Sequence, residues 1–219
     1  ELKDKDNIKY IQDFGAPTRA QQLSMLGAQG RYITWAADDG WYLPPGPDNV
    51  TLSDLIAHLD ADSENPKRCV VTRYNEGVGD GLGDPERGLY CLNTHINARS
   101  QHYPNSFLIF NCAVLTTEYF LELGGFDCPM AFCDFGARAQ LDGCRPDLVG
   151  LSFECTQFPG ETGDHAPIHH AQLDMDQPRY SQIWTAAACP DRIRLDINNW
   201  KNVPDVWVRR FPDHPKDKE

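Results

Sequence analysis

Basic residues are scarce in this chain. Lysine and arginine together number 20 against 32 aspartates and glutamates, leaving a formal net charge of -12. That balance argues against a duplex nucleic-acid binder, which needs Lys and Arg to neutralise phosphates. A small phosphorylated ligand stays open, because one arginine and one metal ion can outweigh a distant field. No apolar run approaches the roughly 20 residues that cross a bilayer, and Glu1-Leu2-Lys3-Asp4-Lys5-Asp6 is no signal peptide. No cysteine pair has the C-x-x-C spacing of a zinc ribbon. The eight cysteines sit mostly in apolar runs such as Phe110-Asn111-Cys112-Ala113-Val114-Leu115, so buried free thiols in a reducing, cytoplasmic setting are expected. Internal repeats and clear linkers are also missing, which leaves one domain over residues 1–212 and a charged tail over 213–219. Gly77-Val78-Gly79-Asp80-Gly81-Leu82-Gly83 fails both the dinucleotide and the Walker spacings and reads as a mobile loop or irregular hairpin.

What is present is a globular chain, 41% hydrophobic, with an alternating pattern. Asn7–Ile11 reads as a short strand, and Ala16-Pro17-Thr18 opens a helix through Leu26. A strand then runs from Gly30 to Asp38. Thr51 caps a helix with apolar positions at 52, 55, 56 and 59, and Cys69–Tyr74 returns as a strand. After an irregular stretch from Asn75 to Asn105 come Phe107–Asn111, a helix over Thr116–Leu123 ending at Gly124-Gly125, and another over Asp134–Leu141. Leu148–Cys155 is a further strand, followed by a helix near Tyr180–Ala188. Alternating β and α predicts an α/β fold with a mostly parallel sheet flanked by helices.

The most telling run is Gly30-Arg31-Tyr32-Ile33-Thr34-Trp35-Ala36-Ala37-Asp38-Asp39-Gly40. A buried strand stops at two adjacent carboxylates, at the end of the sheet where α/β proteins bind ligands. Adjacent carboxylates repel unless a cation relieves them, and a divalent metal does so; a solvated Asp-Gly turn is the other reading.

Three segments in order resemble the family-two, inverting glycosyltransferases of the GT-A, Rossmann-like fold. Ala28-Gln29-Gly30-Arg31-Tyr32-Ile33-Thr34-Trp35 leading to Asp38-Asp39 is similar to the family's A-x-G-x-Y-I strand and metal-binding Asp motif. Leu121-Glu122-Leu123-Gly124-Gly125-Phe126-Asp127 resembles its G-G-F-D turn. Asp134-Phe135-Gly136-Ala137-Arg138-Ala139-Gln140-Leu141-Asp142-Gly143 is similar to its D-L-x-x-R-x-x-x-x-G helix. The resemblance implies a nucleotide-sugar side over 1–115 and an acceptor side over 116–212. Because the chain opens on a charged segment, the first βαβ portion of such a fold is expected to be missing from it.

The implied activity is transfer of a sugar from a nucleoside-diphosphate sugar to a glycan, lipid or protein hydroxyl, with inversion. Mn²⁺ or Mg²⁺ would neutralise the leaving diphosphate. The resemblance makes Asp39 the direct ligand, with Asp38 contacting the ribose or ligating through water. His165 and His169, with neighbouring His170, could complete the site. Arg19, at a helix start, would reach the nucleotide. Asp134 is the preferred base and Asp127 the alternative. The family usually carries Glu-Asp just before the Asp-Leu of its helix, whereas this chain has Ala131-Phe132-Cys133. That departure keeps open a catalytically inactive binding or structural protein of the same fold; a metal-dependent hydrolase ranks below it. Arg138, one turn after Asp134, is expected to pair with it. Trp35, Trp41 and Trp184 could stack on sugar or base, with core packing the default. The run Asn198–Trp207 offers an acceptor-side lid or an oligomer contact.

Overall fold

The computed structural model describes residues 7–11, 17–36, 40–47, 49–77, 90–91, 95–97, 106–126, 130–156, 174, 176–185 and 192–198. The elements in chain order are α1 (Pro17–Leu26), β1 (Tyr32–Thr34), β2 (Gly40–Tyr42), α2 (Leu52–Asp60), β3 (Arg68–Gly77), β4 (Tyr90–Cys91), β5 (His95–Asn97), β6 (Ser106–Leu108), β7 (Ala113–Thr116), α3 (Thr117–Glu122), α4 (Ala131–Leu141), β8 (Arg145–Thr156) and α5 (Gln177–Thr185). Among the described residues no helix is long and apolar enough to cross a membrane.

The fold is α/β, as expected, but its sheet is mixed, not mostly parallel. The six-stranded sheet runs β1-β7-β3-β8-β2, with β4 attached to β3; β5 and β6 form a separate antiparallel pair. Among the described strands only β3 and β8 pair in parallel; β1 with β7, β7 with β3, β3 with β4 and β2 with β8 are antiparallel. Parallel neighbours need a long crossover, usually a helix, whereas antiparallel ones do not. Alternation of elements along the sequence does not by itself fix which strands become neighbours. β1, β3 and β8 nonetheless point the same way, since β7 lies reversed between β1 and β3. Their carboxyl ends share one edge of the sheet.

Several element boundaries differ from the sequence expectation. Asn7–Ile11 forms no strand, and Ile8 and Tyr10 are exposed, so nothing there selects extended pairing. β1 closes at Thr34, and Trp35 leaves the ladder to fill the core. α4 begins at Ala131, three residues earlier than expected, behind Met130 in the left-handed conformation at φ 66°. Asp134 therefore lies inside the first turn instead of opening the helix. α5 begins at Gln177, ahead of the expected Tyr180.

Two cores flank the sheet. On one face Trp35, Phe120, Phe126, Phe135 and Phe110 pack with Cys69, Val71, Ala113 and Leu115. On the other, Leu55 and Leu59 of α2 cover Val70 and Val114. The alternation of Cys69, Val70 and Val71 between the two faces is the period of a strand covered on both sides. α2 is held at its start by a reciprocal box: Asp54 N donates to Thr51 Oγ1 at 3.1 Å while Thr51 N donates to Asp54 Oδ2 at 2.9 Å. Its capping hydroxyl satisfies a backbone donor that has no partner within the helix. Thr51→Ala should therefore cost about 1 kcal/mol of stability in urea unfolding, and Thr51→Ser close to nothing.

Candidate functional site

The β7 strand enters at the carboxyl edge of β1 and β3, and α4 starts beside it. Phe110 N donates to Phe132 O at 3.3 Å, and a Cβ placed on Gly136 would lie 2.8 Å from Leu108 O. Glycine at 136 thus lets α4 press on the chain entering β7. Trp35, just past β1, lies parallel to Phe132 with ring centroids 6.0 Å apart, and meets Phe126 at 5.1 Å and Phe135 at 6.0 Å edge-on. The strand end of the first motif, the Gly-Gly-Phe turn of the second and the helix of the third therefore share one aromatic cluster.

Within that cluster lies a buried charge site. Asp134 is 1% exposed and Arg138 is wholly buried. Arg138 Nε donates to Asp134 Oδ2 at 2.9 Å, while its Nη1 reaches Leu123 O at 2.5 Å and its Nη2 reaches Gly125 O. The expected intrahelical pair is present, and it also clasps the Gly-Gly turn. Gly124 and Gly125 adopt φ of 88° and 61°, which glycine tolerates, so the turn can present both carbonyls to one guanidinium. The other carboxylate oxygen, Asp134 Oδ1, accepts from Trp184 Nε1 at 3.0 Å and from Arg192 Nη2 at 3.1 Å and Nε at 3.3 Å. Burial alone raises the carboxyl's pKa, but Arg138 and Arg192 outweigh it and hold the group below the ordinary carboxylate range. A carboxylate so occupied is a fixed counter-ion; its bonds go to guanidinium and indole groups.

A second network continues outward. Asp142 accepts from Arg194 Nε at 2.8 Å and Nη2 at 3.0 Å, from Lys67 Nζ at 3.0 Å and from the Tyr119 hydroxyl at 3.1 Å. Arg194 also pairs with Glu122. Leu195 N then donates to Leu123 O at 3.2 Å. Residues 192–198 thus lie against the Gly-Gly turn, and a side chain on Gly124 would run into the Leu195 carbonyl. From α1, Gln22 Oε1 accepts from Phe126 N at 2.8 Å while its Nε2 donates to Ile197 O at 3.4 Å.

Of the sequence candidates, Asp134 belongs to this site. Arg19 lies half-buried in the first turn of α1, the helix whose Gln22 reaches the Gly-Gly turn. Asp38, Asp39, Asp127, His165, His169 and His170 lie outside the described residues, as do residues 199–219. Among the described residues no group of three or more His, Cys, Asp or Glu side chains is arranged to hold a metal ion. Trp35 and Trp184 are core residues, whereas Trp41 is 41% exposed on β2. Sequence reasoning did not assign Arg192 or Trp184 to Asp134. Their separations of 58 and 50 residues leave no local pattern, and the only hint was a closely spaced arginine pair, Arg192 and Arg194, in an acidic chain.

Asp134→Ala, which strands Arg138 in the core, should cost about 3–5 kcal/mol in denaturant unfolding. Because the folded-state pKa of Asp134 is depressed, its contribution is full above the unfolded-state value of 3.8 and is lost as pH falls through the folded-state value. Stability should therefore decline below about pH 4, and Asp134→Asn should flatten that decline; an unchanged acid limb would assign it to other carboxylates.

No protein-family model matches the chain, and no curated protein matches it in sequence.

Proposed function

We propose that the chain is a metal-dependent, inverting glycosyltransferase of the GT-A type, acting on a nucleoside-diphosphate sugar and an acceptor hydroxyl. The observation that carries this reading is the meeting of the three motifs. Trp35, three residues before Asp38, packs on Phe126 and Phe132, the residues that flank Asp127 and precede Asp134. β1, β3 and β8 run in one direction, so the chain leaving β1 toward the Asp pair does so at the carboxyl edge, where open α/β sheets bind ligands.

In this reading Asp39 is the principal metal ligand, Asp38 contacts ribose or ligates through water, and His165 or His169 completes the set. A divalent ion there would supply charge neutralisation of the leaving diphosphate. Asp134 is a positioning residue, since its carboxylate is committed to Arg138, Arg192 and Trp184. The base is then Asp127, which follows directly on the clasped turn. Arg19 serves the nucleotide from the start of α1.

Calorimetry with Mn²⁺ and nucleoside diphosphates tests the donor side. Asp39→Ala should abolish metal-dependent binding and Asp38→Ala should weaken it less; unchanged affinity in the Asp39 variant would end the metal assignment. Asp127→Asn should keep nucleotide binding while turnover falls by about two to four orders of magnitude. One observation favours a second reading, a binding protein without transfer activity. Phe132 holds a place where the family pattern has an acidic residue, and its ring lies parallel to Trp35. Metal-dependent nucleotide binding with no turnover on any acceptor would select that reading.

A further inference from the structure

Cys112 and Cys133 are buried, free thiols, and Cys69 and Cys144 are buried with their Sγ atoms 3.4 Å apart. Cys69 is the second residue of β3 and Cys144 immediately precedes β8. These strands are the parallel pair, with Arg68 opposite Arg145, and Arg145 N donates to Lys67 O at 3.3 Å. The backbone is thus pinned where the two sulfurs meet. We propose that Cys69 and Cys144 form a redox pair that closes into a reversible intramolecular disulfide when the protein meets a low-molecular-weight disulfide.

The bond requires the sulfurs to approach to about 2.05 Å, a closure of roughly 1.4 Å from their present separation. Gly143, next to Cys144, closes α4 with its N–H on Gln140 O at 3.1 Å. It sits at φ 91° in a turn, and a side chain there would have no neighbour within 4 Å. Cys144 is 5% exposed and Cys69 not at all, so exchange begins at Cys144. Its thiolate attacks oxidised glutathione, forming a mixed disulfide and releasing one glutathione thiolate. Cys69 then loses its proton and attacks Cys144 Sγ, making the Cys69–Cys144 bond and expelling the second glutathione thiolate. Two protein thiols are oxidised and one glutathione disulfide is reduced to two thiols. Burial pushes the Cys69 thiol's pKa well up, which makes the second step slow.

The tether ties the turn after α4 to the start of β3, at the amino ends of β3 and β8. The opposite edge of the sheet, used by the proposed function, is left alone. The test incubates the full chain, under native conditions, with oxidised or reduced glutathione. Intact mass should show the loss of two hydrogens, a non-reducing peptide map should join Cys69 to Cys144, and the melting midpoint should rise on the order of 5–10 °C. Reductant should reverse all three changes. Cys69→Ser and Cys144→Ser should each melt at the same temperature in either buffer. If those variants fail to fold, the wild-type peptide map decides alone. A chain that keeps all eight thiols after prolonged oxidation, or a cross-link joining other cysteines, would overturn the pair.

Discussion

Arg138 is wholly buried and its planar fork has three acceptors: a carboxylate on its own helix and two carbonyls of the Gly-Gly turn. Taking a guanidinium out of water is costly, and only a full set of well-placed acceptors offsets that cost. The surrounding structure follows from the requirement. α4 must begin early enough to put Asp134 one turn ahead of Arg138, and the turn must hold two successive left-handed residues. Gly124 and Gly125 meet that need, and Gly125 is also where Gln22 of α1 lies within 2.5 Å of any added Cβ. Arg192 supplies the second positive charge. Among the described residues two guanidiniums share this one carboxylate, and the Leu123 and Gly125 carbonyls also accept from Arg138.

The aromatic cluster gives that charge site a dry wall. Phe135 lies under Arg138 with the guanidinium 5.4 Å from the ring centroid, and Phe120, Phe126 and Trp35 close the far side. Low polarity around the pair strengthens each of its bonds and makes the loss of any one more damaging. The same rings tie β1 to α4, so the electrostatic and apolar parts of the site are a single packing unit.

Local signals were the legible ones. The Thr51 cap, the Pro17 start of α1, the Gly-Gly stop of α3 and the Asp134–Arg138 spacing all depend on residues within one helical turn of each other, and each is present. Strand direction was not legible, because hydrophobic periodicity is the same whichever way a strand runs. Nor were the partners of Asp134 beyond its own helix. Trp184 looked like one aromatic among several, and Arg192 carried no local pattern that tied it to Asp134. Boundaries shifted where backbone conformation did the work: Met130 at positive φ gives no warning in sequence, since methionine has no preference for that region. The resemblance that directed attention to the Asp pair concerns residues outside the described part of the chain. Within the described part it covers Ala28–Trp35, the Gly-Gly turn and the helix behind it, which share one aromatic cluster.

The two cations on Asp134 come from very different distances along the chain, 4 and 58 residues. A ribosome releases them in that order. When α4 first forms, Asp134 and Arg138 emerge together and neutralise each other, so an early α4 can collapse onto β7 without a bare charge at its heart. Arg192 arrives only after β8 and α5 have been made, and docking of its segment then joins α1, the Gly-Gly turn and Ile197 through Gln22. Contacts of such long range are expected to form late. The central ion pair is thus available during synthesis before its outer brace, and Gln22 Nε2 exchanges water for Ile197 O only once that segment exists.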